Sequence, residues 1–157
     1  AKNLIDFVKD SNDDSIPFKA ENIQQVNTSG IDLELIHQIK LNNHTHQFKI
    51  SYSYLENTLE KSAYNFSRYS INNDLKNHFI GSYFLPIRKN LNGNFVYKYV
   101  ERTSGDEYSV VDVSAQLTLS QFQVSMYFNN IFNTEYWESN LVPMPKGNGL
   151  LGLRYSF

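Results

Sequence analysis

"YSVVDVSAQLTLSQFQVSMYFN", residues 108–129, decides how this chain is read. In steps of two, Val111, Val113, Ala115, Leu117 and Leu119 share one face, against Asp112, Ser114, Gln116 and Thr118. After the short break "LSQ", Phe122, Val124, Met126 and Phe128 stand against Gln123, Ser125, Tyr127 and Asn129. A period of two marks a β-strand with one apolar and one polar face.

The same alternation continues upstream and downstream. "GIDLELIHQIK" (30–40) sets Ile31, Leu33, Leu35 and Ile39 against Asp32, Glu34, Gln38 and Lys40. "QFKISYSY" (47–54) sets Phe48, Ile50, Tyr52 and Tyr54 against Gln47, Lys49, Ser51 and Ser53. The final stretch "GLLGLRYSF" (149–157) carries Leu151, Leu153, Tyr155 and Phe157 on one face and Leu150, Gly152, Arg154 and Ser156 on the other. "HFIGSYFL" (78–85) and "FVYKYVER" (95–102) also read as strands, with their facing left open, and "NLIDFV" (3–8) as a shorter one. "TLEKSAYNFSRY" (58–69) is too poorly periodic for a helix. Eight strands and no helix are therefore expected.

Composition limits what such strands can belong to. The chain has 157 residues, the length of one ordinary domain. Its net charge of −2 carries no basic field for nucleic acid. Cysteine is absent, which excludes disulfides and thiol catalysis. Eleven Tyr, eleven Phe and one Trp make an aromatic-rich chain, and no run approaches the ~18 apolar residues of a membrane helix. The first residues, "AKNLIDFVKD", resemble neither a signal peptide nor a start-methionine context, so the chain reads as a mature form or as a piece of a longer one.

The connectors sort by length. "KDSNDDSIPFKAEN" (9–22) is long and acidic, "LNNH" (41–44) tight, and the stretch at about 56–76 long. "PIRKNLNGN" (86–94) is shorter, "TSGDE" (103–107) short, "LSQ" (119–121) tight, and "FNTEYWESNLVPMPKGN" (132–148) long again. Long loops at one end and tight turns at the other suit a transmembrane antiparallel up-and-down β-barrel, with an apolar band outside and a polar lumen. Counting back from the last strand places Phe157 and Ala1 at the periplasmic end, with Asp32, Glu34, Asp112, Gln116, Gln123 and Arg154 facing the lumen.

At this point the chain resembles the C-terminal part of a TonB-dependent outer-membrane receptor. Those receptors show a Tyr-x-x-x-Asp strand, here Tyr108 to Asp112, and an Asn-Leu-Phe-Asn-x-x-Tyr turn, here Asn130, Ile131, Phe132 and Asn133 to Tyr136. A Pro-x-Pro-Gly-Arg segment and a strand ending in aromatic-x-Phe follow. In this chain Lys146 and Gly147 stand where the Gly-Arg pair is usual. "AENIQQVNTSGIDLEL" (20–35) and "YSYLEN" (52–57) resemble further strands of the family.

The resemblance implies that residues 1–157 are about eight strands of a 22-stranded barrel, with the plug domain and earlier strands lying elsewhere. It implies a multi-pass protein of the Gram-negative outer membrane that imports a large scarce nutrient, such as cobalamin or a ferric siderophore, energised by TonB through the plug. Its partners would be lipid, the remainder of the barrel, the transported ligand and the barrel-assembly machinery. Tyr155 and Phe157 would be the terminal signal for that machinery. No enzymatic activity and no cofactor are implied. Two other readings stand beside it: a stand-alone eight-stranded outer-membrane barrel, and a soluble all-β binding module.

Residues that could carry chemistry have plain readings next to them. His44 and His46 share a strand face, but no third metal ligand accompanies them at a tight turn. Asp32 and Glu34 are spaced like a glycosidase pair, yet polar residues are expected in a lumen anyway. Asp10, Asp13 and Asp14 lack the spacing of a calcium loop and read as a solvated loop. Tyr64, Phe66, Tyr69, Tyr136 and Trp137 cluster in the long connectors, either as ligand contacts at a barrel mouth or as part of an aromatic girdle.

Overall fold

A computed structural model describes residues 2–10, 13, 15–59, 66–67, 75–139 and 142–157; for 2–4, 23–26, 59, 66, 67 and 139 it describes the backbone alone. The chain is all β: β1 (Lys2–Lys9), β2 (Lys19–Leu41), β3 (His44–Leu59), β4 (Phe66–Ser67), β5 (Leu75–Arg88), β6 (Leu91–Arg102), β7 (Glu107–Leu119), β8 (Phe122–Asn129), β9 (Trp137–Ser139), β10 (Val142–Pro143) and β11 (Asn148–Tyr155). One sheet runs in the order β11-β8-β7-β6-β5-β3-β2-β1-β4, every pairing among the described residues is antiparallel, and β9 and β10 form a separate two-stranded ribbon. All eight strands expected from alternation are present; β4, β9 and β10 are too short to show a period.

The register carries one apolar face across seven strands. Leu35 stands opposite Ile50, Ile50 opposite Gly81, Gly81 opposite Tyr97, and Tyr97 opposite Val111. One row along, Phe48, Tyr83, Phe95, Val113 and Phe128 align, and Leu117, Val124 and Leu153 form another row. Because side chains alternate, the intervening rows make the opposite face. Asp32, Ser53 and His78 line up there, as do Ser82, Val96 and Asp112, and Thr118, Gln123 and Arg154. The facing of β5 and β6, open from the sequence, is thereby fixed: Phe79, Gly81 and Tyr83 pair on the apolar face with Tyr99, Tyr97 and Phe95.

Among the described residues no second layer packs on that apolar face. Leu33 is 61% exposed, Leu151 68% and Leu153 77%, whereas among the described residues the buried apolar ones are Val8, Val100, Val110 and Val111, the last of which lies on this face. Aromatic rings with a polar tip mark the face's flank toward the long loops. Tyr52 Oη donates to Asn77 Oδ1 (2.5 Å), Tyr99 Oη to Glu107 Oε2 (2.7 Å), and Tyr97 Oη lies 3.0 Å from Ser109 Oγ.

The turns separate cleanly by end. Three hairpins close on two residues: Asn42 and Asn43, Lys89 and Asn90, Ser120 and Gln121. Asn42, Asn43 and Ser120 have φ of 48°, 63° and 53°, the left-handed region such turns demand. The connector expected over 86–94 therefore shrinks to two residues, because "PIR" and "LNGN" both continue in the β5–β6 ladder. Likewise β2 begins inside the stretch expected to be a loop, since polar residues 19–29 pair with β1 and β3 without showing any apolar alternation.

The placement of β1 corrects the sequence reading. Lys2 pairs with Gln25 and Val8 with Lys19, so β1 lies beside the loop-end stretch of β2, while β3 takes Val26 to Leu41. Ala1 lies outside the described residues, but Lys2 stands level with a residue sixteen positions before Leu41, about 50 Å along the strand from the tight-turn end. The N-terminal strand is thus at the loop end, not beside Phe157. Seven strands, not eight, carry the apolar face. Gly30 marks the boundary: a Cβ there would come within 2.4 Å of the Tyr54 carbonyl oxygen, so only glycine allows the two backbones this close.

Candidate functional site

The loop end of the polar face is where side chains from distant strands meet. The connector between β8 and β11 turns back on itself through Asn130, whose φ is 51° and which is 2% exposed. The Asn130 backbone N–H donates to Asp112 Oδ1 (2.7 Å), and that of Ile131 to the Val111 carbonyl (2.9 Å). The Asn130 side chain then spans the turn, accepting from the Thr134 N–H and donating to the Thr134 carbonyl, both at 2.8 Å, and to the Pro145 carbonyl at 3.4 Å. Asn133, at φ 57°, accepts from the Gly147 N–H through Oδ1 (3.0 Å). A Cβ on Gly147 would lie 2.9 Å from the Asn130 carbonyl oxygen, so the close approach of the two backbones favours glycine here.

This scaffold carries the connector onto the strands. Tyr136 packs against Tyr108 with the rings tilted at 33° and their centroids 4.6 Å apart. Lys98 Nζ sits 5.8 Å from the Tyr108 ring centre and 5.7 Å from that of Tyr136, and pairs with the Glu138 carboxylate. Arg102 Nη2 donates to the Glu138 carbonyl (2.5 Å) and toward that of Trp137 (3.4 Å). On the same face Val100 and Val110 are each 3% exposed. Burial first, then the charges of Glu138 and Asp112, hold the Tyr136 phenol above its ordinary range. Glu135, bonded to Lys146, is held below the usual carboxylate range by that hydrogen bond and charge. Between them, Glu135, Tyr136, Trp137, Pro143, Met144 and Lys146 line a hollow of about 190 Å³. That is below the roughly 300–1,000 Å³ of small-molecule sites.

The residues singled out in the sequence fall as follows. Asp32, Glu34, Asp112, Gln116, Gln123 and Arg154 share the polar face; Glu34 pairs with Lys49 at 2.8 Å, Gln116 stands opposite Ser125, and Gln123 opposite Arg154. Of the aromatic cluster, Tyr136 packs inward while Trp137 is half exposed at the start of β9. Phe66 pairs by its backbone with Lys9, and Tyr64 and Tyr69 lie outside the described residues. His46 Nδ1 is 2.8 Å from Tyr83 Oη on the apolar face, and among the described residues no three His, Cys, Asp or Glu side chains gather around one point. Asp13 accepts from the Ser15 N–H (2.8 Å), which with the Ser15 side chain lowers its pKa, Asp10 lies at the end of β1, and Asp14 lies outside the described residues. Tyr155 donates to Gln121 Oε1 (3.0 Å) and packs on Phe122 and Phe157, with Phe157 fully exposed.

Lys98, Arg102 and Glu138 escaped the sequence reading. Lys98 and Glu138 are forty residues apart and belong to no short motif; only the register of β6 and the fold of the connector bring them together. No protein-family model, curated protein or solved structure matches this chain.

Proposed function

We propose that this chain is the C-terminal barrel segment of an outer-membrane active-transport receptor of the TonB-dependent kind, importing a large scarce nutrient such as cobalamin or a ferric siderophore. The observation that carries the reading is the continuous apolar face across seven antiparallel strands, with most of its large side chains part or fully exposed, two-residue turns at one end and the long connectors at the other. Lipid suits such a face, because contiguous exposed apolar surface of this extent is rare on soluble monomers. The long β2 and β3 then extend past the bilayer on the external side, together with β1 and the connector at residues 130–147.

A stand-alone eight-stranded barrel fits less well. It needs its first and last strands to pair, but among the described residues β11 pairs with β8 and β1 with β2 and β4. Open edges cannot remain in lipid, so the remainder of a larger barrel is the natural partner for both. A soluble all-β module would instead pack its apolar face on a second layer, and the described residues form no such layer.

Labelling on intact cells tests the assignment. A cysteine at Phe132, 73% exposed in the long connector, reacts with an impermeant maleimide, and one at Ser120 reacts only after the outer membrane is opened. The reverse pattern, or recovery of the unlabelled protein in the aqueous fraction without detergent, refutes it.

A further inference from the structure

The connector's own carboxylate sits where a ligand's anionic group would bind. Lys98 and Arg102 project from the same face of β6, two turns of the pleat apart, and both are engaged by the short ribbon strand β9: Lys98 by the Glu138 carboxylate, Arg102 by the carbonyls of Trp137 and Glu138. Two tyrosine rings, Tyr108 and Tyr136, flank the lysine. A guanidinium and an ammonium beside aromatic faces form a recurrent receptor for carboxylate and phosphate oxygens, the arginine supplying a fork and the lysine a point charge. Here that receptor is filled from within.

We infer that Lys98 and Arg102 form an anion-binding site on the polar face, occupied by Glu138 at rest and opened when a carboxylate- or phosphate-bearing ligand displaces the β9 segment. The inference rests on the reading above only in needing the polar face to meet water. Three features favour displacement over a fixed brace. The Lys98–Glu138 pair is partly exposed, 27% and 39%, so it is worth little against a competing anion. The β9 groups that Arg102 donates to are neutral carbonyls, and a charged oxygen would bond it more strongly. The turn anchored by Asn130 lies outside the displaced segment, so β9 can swing on it while Asp112 keeps its root in place.

The test uses the intact protein, purified in detergent or in buffer alone should it prove soluble, with 5-fluorotryptophan incorporated. The Trp137 fluorine resonance is assigned by its loss in Trp137→Phe, and citrate and inorganic phosphate are the probes. A saturable shift of that resonance is expected. Glu138→Gln removes the internal competitor and should tighten apparent binding by roughly two- to fivefold, the range an exposed ion pair supports. Lys98→Met should weaken it at least as much, and Lys98→Arg should retain it. No saturable shift in wild type and Glu138→Gln overturns the inference. So does unchanged binding in Lys98→Met, or binding that Glu138→Gln leaves the same or weaker. Should Lys98→Met not fold, the Glu138→Gln comparison decides alone. None of these failures touches the membrane assignment, which the cell-labelling experiment reads independently.

Discussion

Placing an arginine at Leu35 separates lipid from water as the neighbour of the apolar face. Leu35 lies midway along the alternating stretch of β2, is 62% exposed, and stands in a row with Ile50, Gly81, Tyr97 and Val111. In water such an exposed position tolerates substitution within about 0.5 kcal/mol. Facing the bilayer midplane, Arg costs about 2–4 kcal/mol. The two environments therefore differ by more than the error of an unfolding titration. Gln116→Arg is the matched control: it lies on the polar face opposite Asn92 and Ser125, where a cation meets only polar neighbours. The assay is urea unfolding of the intact protein in lipid vesicles, followed by the loss of heat-modifiable mobility on gels. The expected result is a large loss for Leu35→Arg and a loss under about 1 kcal/mol for Gln116→Arg. A Leu35→Arg variant as stable as wild type, or a Gln116→Arg variant equally damaged, refutes the assignment of faces.

Asp112→Ala leaves the N–H of the buried Asn130 without its acceptor and should cost about 1–3 kcal/mol in the same assay, Asp112→Asn less because an amide oxygen can replace the carboxylate. Glu135 has a depressed pKa through Lys146, so the fastening it provides is present above its ordinary value of 4.5 and is lost as pH falls through the lowered one. Hydrogen-exchange protection of residues 130–147, corrected for intrinsic rates, should drop below that pH, and less so in Glu135→Gln. Deleting Phe157, which packs edge-on against Tyr155 and is fully exposed, should hardly change unfolding in vesicles while cutting the amount assembled in outer-membrane fractions several-fold; parallel losses in both would make it ordinary packing.

Alternation made the strands legible wherever one face is apolar and the other polar. Residues 108–129 and 149–157 show this most cleanly, and the register agrees with every facing read from them. Where both faces mix ring and polar atoms, as at Lys98 to Arg102 between tyrosines, period alone gives no direction; only pairing with the unambiguous β7 orients them. The loop-end stretch of β2 escapes alternation for the opposite reason, since "KAENIQQVNTS" has almost no apolar residue to repeat; only the resemblance of residues 20–35 to a receptor strand reads it as one. The motifs were legible as residues but not as contacts. Tyr108 with Tyr136, and Asp112 with Asn130, are joined by a connector whose path depends on left-handed asparagines and one close glycine approach.

The two-residue turns also govern which length changes this chain can survive. A strand held between a turn of fixed geometry and its neighbour's ladder has no slack, and inserting one residue moves every following side chain to the other face. In β7 that single step would send Val113 and Leu117 to the polar side and Asp112 and Gln116 outward. At the loop end, residues 15–18 and 103–106 can absorb an insertion before the next ladder begins. Descendants of this gene should therefore vary in length almost entirely at that end, and the blunt end should keep its spacing residue for residue while its side chains drift.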